Sequence, residues 1–92
     1  MSELENQEII KKISYIKRSK NRLKLVNILG NSFKTPSEIA KEMDLRINQI
    51  SAILSDLKKE DIVVCMNEQA KTGRLYKLTE EGKKAYNIIK TN

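Results

Sequence analysis

The sequence contains no histidine, no tryptophan, one cysteine, one proline and three glycines. Each scarcity removes a class of chemistry. Without histidine no imidazole serves as general acid or base, and neither a Ser–His nor a Cys–His nucleophile forms within one chain. A single thiol excludes an intrachain disulfide and a Cys/His zinc site. Cys65 sits in a β-branched run, where a thiol is a small apolar side chain, and a lone thiol suits a reducing compartment. Aromatics are 4% of the chain, which argues against stacking of single-stranded bases. The longest apolar run, Ile62 to Met66, is far below the ~20 residues that span a bilayer. Met1 to Gln7 is acidic and polar, unlike a secretory leader. The expectation is a cytoplasmic protein with no membrane partner and no enzymatic activity; no cofactor, metal or small-molecule effector site is evident.

Charge, by contrast, is plentiful: 18 basic against 12 acidic side chains, a net of +6. It is unevenly spread. Residues 1–34 hold 8 basic and 3 acidic groups, residues 35–61 hold 4 and 6, and residues 62–92 hold 6 and 3, giving +5, −2 and +3. No acid occurs between Lys11 and Lys34. An anionic partner is favoured, with contacts biased to the two flanks. Ninety-two residues are expected to form one domain.

Hydrophobic periodicity divides the chain into elements. Residues 4–17 carry Ile9, Ile13 and Ile16 on one face of an amphipathic helix, with Ile10 beside them. Ser19 can cap a second helix or mark a bend in a longer one; that segment carries Leu25, Val26, Ile28 and Leu29 and stops near Gly30. Asn31 to Lys34 reads as a loop. Thr35-Pro36-Ser37-Glu38 is a capping box with proline at the first helical position, followed by Ile39, Ala40 and Met43. After the break at Asp44-Leu45-Arg46, a helix from Ile47 to Lys59 places Ile47, Ile50, Ile53, Leu54 and Leu57 in an arc of about 120°. The period then changes to two. Ile62 to Met66 and Arg74 to Leu78 read as paired strands, with Asn67 to Gly73 as the loop between them. Thr79 caps a last helix, Glu80 to Lys90, and its acids at the start and lysines later suit the helix dipole. The acidic pairs Glu60-Asp61 and Glu80-Glu81 are explained by capping and solvation rather than by catalysis.

A short helix, a tight turn and a longer helix form a helix-turn-helix, and a β-hairpin placed directly after it makes a winged helix. The expected class is α+β, mainly α. Residues 1–18 form an extra N-terminal helix, 19–60 a three-helix core with the helix-turn-helix at 36–59, 62–78 a two-stranded wing and 80–90 a C-terminal helix. An α-helix fits the major groove of B-DNA, and a wing reaches phosphate or the minor groove.

Ser37-Glu38-Ile39-Ala40-Lys41-Glu42-Met43, Asp44-Leu45, Ile50-Ser51 and Leu54-Ser55-Asp56-Leu57 resemble the helix-turn-helix of small winged-helix transcriptional regulators of the MarR and ArsR types, common in archaea. Gly73 to Gly82 looks like their wing and the start of their final helix. The resemblance covers residues 19–90. It implies a regulator that binds double-stranded DNA, with Ile47 to Lys59 as recognition helix. Arg46, Asn48, Gln49, Ser51, Ala52 and Ser55 would face bases. The density of the basic run from Lys17 to Lys24, rather than the resemblance, points to phosphate contact by Lys17, Arg18 and Lys20. By the resemblance, Thr35 and Ser37 would meet phosphate, as would Lys71, Thr72 and Arg74 on the wing. It also implies a homodimer, for which Leu4, Ile9, Ile13, Ile16, Ile88 and Ile89 are the candidate contacts. Two positions depart from the pattern: Arg46-Ile47 replaces a small polar cap, and Asp61 stands where glycine is common. Two other readings stay open, a winged helix that binds protein in a transcription-related assembly and one that binds RNA.

Overall fold

A computed structural model describes residues 3–91, with side chains described from residue 6 onward. Among the described residues, five helices and a small sheet follow in the order α1 (Glu3–Lys17), α2 (Lys20–Leu29), β1 (Phe33–Lys34), α3 (Pro36–Met43), α4 (Ile47–Lys59), β2 (Val63–Cys65), β3 (Tyr76–Leu78) and α5 (Glu80–Thr91). This is a winged helix, mainly α, as expected. Ser19 caps α2 by accepting the Arg22 N–H, and the Gly30 N–H donates to the Val26 carbonyl where the helix stops.

The sheet corrects the sequence reading. Asn31 to Lys34 is not simply a loop: Phe33 pairs with Lys77 and Lys34 with Tyr76, so β1 lines the free side of β3. The wing is therefore rooted in a three-stranded antiparallel sheet of order β1-β3-β2 rather than in two strands. The physical reason is backbone satisfaction. With β2 on one side only, β3 would leave a row of N–H and C=O groups unpaired on the other. The expected strands are also trimmed, since Ile62, Met66, Arg74 and Leu75 lie outside β2 and β3, although the Met66 N–H still donates to the Leu75 carbonyl at 2.7 Å.

The core is one cluster. Leu25, Val26 and Leu29 of α2 meet Ile39 and Met43 of α3, Ile50, Leu54 and Leu57 of α4, and Ile62, Val63 and Leu78 at the sheet. Ile9 and Ile16 of α1 are also buried, at 3% and 0% exposure, inside this one chain. Two expectations change here. Ile9 and Ile16 are not a spare apolar face for a second copy, because α1 packs along α5 and α2 and uses them there. Ile47, placed by its phase in the inward arc of α4, is 53% exposed and outside the core cluster.

Where α4, the wing and α5 meet, the backbone is drawn tight. Asp61 takes a left-handed conformation, φ 57°, which explains why glycine suits this position and why aspartate, among the residues that tolerate it, can stand in. The Thr79 N–H donates to the Ile62 carbonyl at 2.9 Å. Its hydroxyl donates to the Asp61 carbonyl at 2.7 Å and accepts the Gly82 N–H at 2.9 Å. Gly82 lies directly against that turn, and a Cβ there would overlap the Ile62 carbonyl oxygen. Gly82→Ala is expected to destabilise the fold: overpacking costs about 1–3 kcal/mol, against at most ~1 kcal/mol gained in helix propensity. A urea midpoint lowered by the substitution would bear this out, and an unchanged or raised midpoint would refute the packing argument.

Candidate nucleic-acid interface

The helix-turn-helix is set by its caps. Thr35 closes a capping box at the start of α3: its hydroxyl accepts the Glu38 N–H at 3.2 Å, and its N–H donates to Glu38 Oε1 at 2.9 Å. The N–H and hydroxyl of Thr35 are thus engaged within the cap, so it fixes the helix end, while Ser37 is exposed in the first turn. The Glu38 carboxylate is held below its ordinary range, first by the Thr35 N–H, then by the Thr35 hydroxyl, and to a lesser degree by the Lys34 charge. α3 ends at Asp44 in the left-handed region, φ 56°, which makes the sharp turn into α4.

α4 begins without a capping side chain, because Arg46 has no acceptor. Instead Gln49 reaches back and its Oε1 accepts the Arg46 N–H at 3.0 Å. Ile50, Leu54 and Leu57 are buried, while Arg46, Asn48, Gln49, Ser51, Ala52 and Ser55 are all exposed. Asn48, Ser51, Ala52 and Ser55 fall at i, i+3, i+4 and i+7, which is a single stripe on a helix. Gln49 lies beside that stripe with its carbonyl oxygen already used by the cap.

Wing geometry rests on Asn67, a residue to which the sequence reading assigned no role. Its Oδ1 accepts the Leu75 N–H at 2.7 Å and its Nδ2 donates to the Gly73 carbonyl at 3.2 Å, closing the loop across its base. Gly73 takes φ 64°, the left-handed turn that glycine allows at no steric cost. Arg74 is exposed, and its Nε donates to the Ala70 carbonyl at 2.8 Å, which orients the guanidinium. Lys58 near the end of α4 pairs with Glu68 on the wing. That pair raises the Lys58 ammonium above its ordinary value and lowers the Glu68 carboxyl, in each case mainly through the hydrogen bond between them.

These elements enclose a cleft of about 340 Å³ lined by Thr35, Pro36 and Ser37 of the α3 cap, Ile47 of α4, and Lys71, Thr72, Gly73 and Arg74 of the wing. Five residues expected at phosphate therefore converge on one surface feature. Lys17, Arg18 and Lys20 do not line it; they are exposed at the corner between α1 and α2. In the same basic run Arg22 is spent on the fold, donating to the Tyr15 carbonyl at 3.0 Å and lying 3.8 Å from the centre of the Tyr15 ring. Of the expected dimer contacts, Leu4 lies outside the residues whose side chains are described. Ile9 and Ile16 are internal, Ile13 and Ile89 are half-buried against the core, and Ile88 is exposed, as is Ile10.

The lowered Glu38 carboxyl fixes the sign of a pH effect. A carboxyl whose folded pKa lies below its unfolded value stabilises the fold above the ordinary carboxylate pKa, and that stabilisation is lost as pH falls through the folded value. Glu38→Gln retains an acceptor without the titration, so its thermal midpoint is expected to fall less steeply than that of the parent chain in the acid range. Parallel curves for the two would contradict the assignment.

The fold has many counterparts among solved structures. The transcriptional regulator HlyU of Vibrio vulnificus superposes with a TM-score of 0.77 at 18% identity, covering 94% of this chain and 88% of that one. The homodimeric winged helix-turn-helix DNA-binding domain of Mb0332 from Mycobacterium bovis, a possible ArsR-family regulator, gives 0.75 at 16% identity over 99% of this chain and 85% of that one. MepR of S. aureus, solved as a DNA complex, gives 0.73 at 17% identity over 94% and 73%. No family model and no curated protein matches the sequence. The neighbours are winged-helix transcriptional regulators of the ArsR and MarR types, and what this chain shares with them is the winged-helix fold.

Proposed function

We propose that this chain is a DNA-binding transcriptional regulator that lays α4 in the major groove of duplex DNA. The observation that carries the reading is the convergence of Ser37, Lys71, Thr72 and Arg74 on one cleft at the first turn of a helix whose outer stripe is Asn48, Ser51, Ala52 and Ser55. Short polar side chains on that stripe can pair with base edges: asparagine with adenine, serine with either partner, and the alanine methyl with thymine. Arg46, just ahead of the helix, can reach guanine or phosphate. Ser37, Lys71, Thr72 and Arg74 would hold backbone phosphate and fix the register, and Lys17, Arg18 and Lys20 would add charge at the second basic corner. The same fold is seen bound to DNA in MepR, which supports this use of it.

We further propose that the chain works in the cytoplasm and as a homodimer, the second of which the homodimeric Mb0332 domain supports. With Ile9 and Ile16 consumed internally, the contacts fall to Ile10 and Ile88, joined by the outer parts of Ile13 and Ile89. Two recognition helices would then meet DNA about one helical turn apart. Sedimentation at tens of micromolar is expected to give the dimer mass; monomer alone would remove this part of the proposal.

Affinity for duplex DNA tests the main reading. Arg74→Ala is expected to weaken binding to all sequences alike and to reduce the salt slope by about one. Asn48→Ala is expected to change preference among sequences, with roughly 1–3 kcal/mol of discrimination lost at one base pair. Absence of binding by the parent chain at low salt would end the DNA reading, and a uniform effect of both substitutions on every sequence would end the division of roles.

A further inference from the structure

The surface of α4 carries one residue that neither the core nor the polar stripe explains. Ile47 is 53% exposed, while every other exposed side chain on α4 is polar, charged or alanine. It is absent from the core cluster to which its neighbours Leu45, Ile50 and Ile53 belong or against which they pack. A β-branched residue is also a weak helix former, so the first turn gains nothing from it by propensity. A single exposed apolar side chain is unremarkable by itself. This one lies in the cleft between the α3 cap and the wing, where it and Pro36 are the apolar members among Ser37, Lys71, Thr72 and Arg74.

We infer that Ile47 reads the 5-methyl group of a pyrimidine in the major groove. The inference rests on the DNA-binding reading above. The first residues of a recognition helix are those that reach base edges. In the major groove the carbon-5 methyl, carried by thymine and by 5-methylcytosine, is the one apolar group that projects from the base edges; the other features are hydrogen-bond donors and acceptors or bare C–H positions that stand less far out. An isoleucine pressed against a donor or acceptor would strip water from it without replacing its hydrogen bond, and against a bare C–H it meets less apolar surface than a methyl offers. Against a methyl it removes apolar surface on both sides, and the cationic wing beside it draws the adjoining phosphates into place. Burying one methyl stabilises by ~0.8 kcal/mol, which corresponds to about fourfold in affinity.

Binding sites selected from random-sequence duplex DNA by the full chain provide the test. Replacing each thymine of a selected site with uracil removes the methyl alone. At one position the parent chain is expected to lose about fourfold in affinity, and Ile47→Ala is expected to bind the thymine and uracil forms equally. At that same position 5-methylcytosine should exceed cytosine by a similar factor, again only with Ile47 present, which separates the methyl from the base that carries it. Because Ile47 is outside the core, the thermal midpoint of Ile47→Ala should match the parent. If sites are selected but uracil and thymine are equivalent throughout, or Ile47→Ala keeps the methyl preference, the inference is overturned and the DNA reading stands. If nothing is selected and no duplex binds at low salt, both fall together.

Discussion

The contact between Gly82 and the Ile62 carbonyl decides where the wing stands. At this point α4 has ended, the chain has turned through the left-handed Asp61, and β2 starts at the residue after Ile62, Val63. Thr79, arriving from β3, ties its hydroxyl to the Asp61 carbonyl and to the Gly82 N–H, so the exit of α4, the end of the hairpin and the start of α5 share one hydroxyl. Any side chain at position 82 would push the α5 start from the turn and take the hairpin with it. The direction in which the wing leaves α4, and with it the cleft between wing and α3 cap, follows from this close backbone approach.

The same dependence shows in how polar groups are divided. Some are consumed in building the surface: Thr35 and Glu38 in the α3 cap, Gln49 in the α4 cap, Asn67 across the base of the wing and Arg22 against Tyr15. They fix the helix caps, the base of the wing and the approach of α2 to α1, and leave little of themselves to offer. Ser37, Asn48, Ser51 and Ser55 are exposed on the helices those caps orient, with Lys71 and Arg74 across the cleft. Preorganisation of this kind lowers the ordering cost of binding. It also resolves the uneven charge of the chain: the segment from 35 to 61 carries −2 because its acids serve caps and solvated faces, while cations come to its cleft from the wing.

Local signals were legible in the sequence where a few neighbouring residues suffice. Thr35-Pro36-Ser37-Glu38 names its own cap, and the 3.6-residue phase of Ile50, Leu54 and Leu57 gives α4 and its outer stripe directly. Signals that depend on distant partners were not. Phe33-Lys34 is too short to carry a strand period, and its pairing exists only because β3 has a free side. Ile9 and Ile16 look the same whether a second copy or α5 covers them. Ile47 has an inward phase, but it stands in the first turn of α4, outside the cluster that α2, α3 and the sheet build around Ile50, Leu54 and Leu57. Gly82 was visible only as part of a family-like string, since its reason is a carbonyl twenty residues earlier in the chain. The candidate site was read as separate helix and wing contacts; that both sets line one cleft is a tertiary fact.

The proposed function requires the outer stripe of α4, the α3 cap and the wing to form one surface for duplex DNA. Amide chemical-shift mapping during titration with a short DNA duplex tests it most directly. Perturbations are expected at residues 35–37, at Arg46, Asn48, Gln49, Ser51, Ala52 and Ser55, and at 71–74, with α5 and the buried face of α4 little affected. Perturbations confined to α1 and α5, or none at low salt, would contradict it.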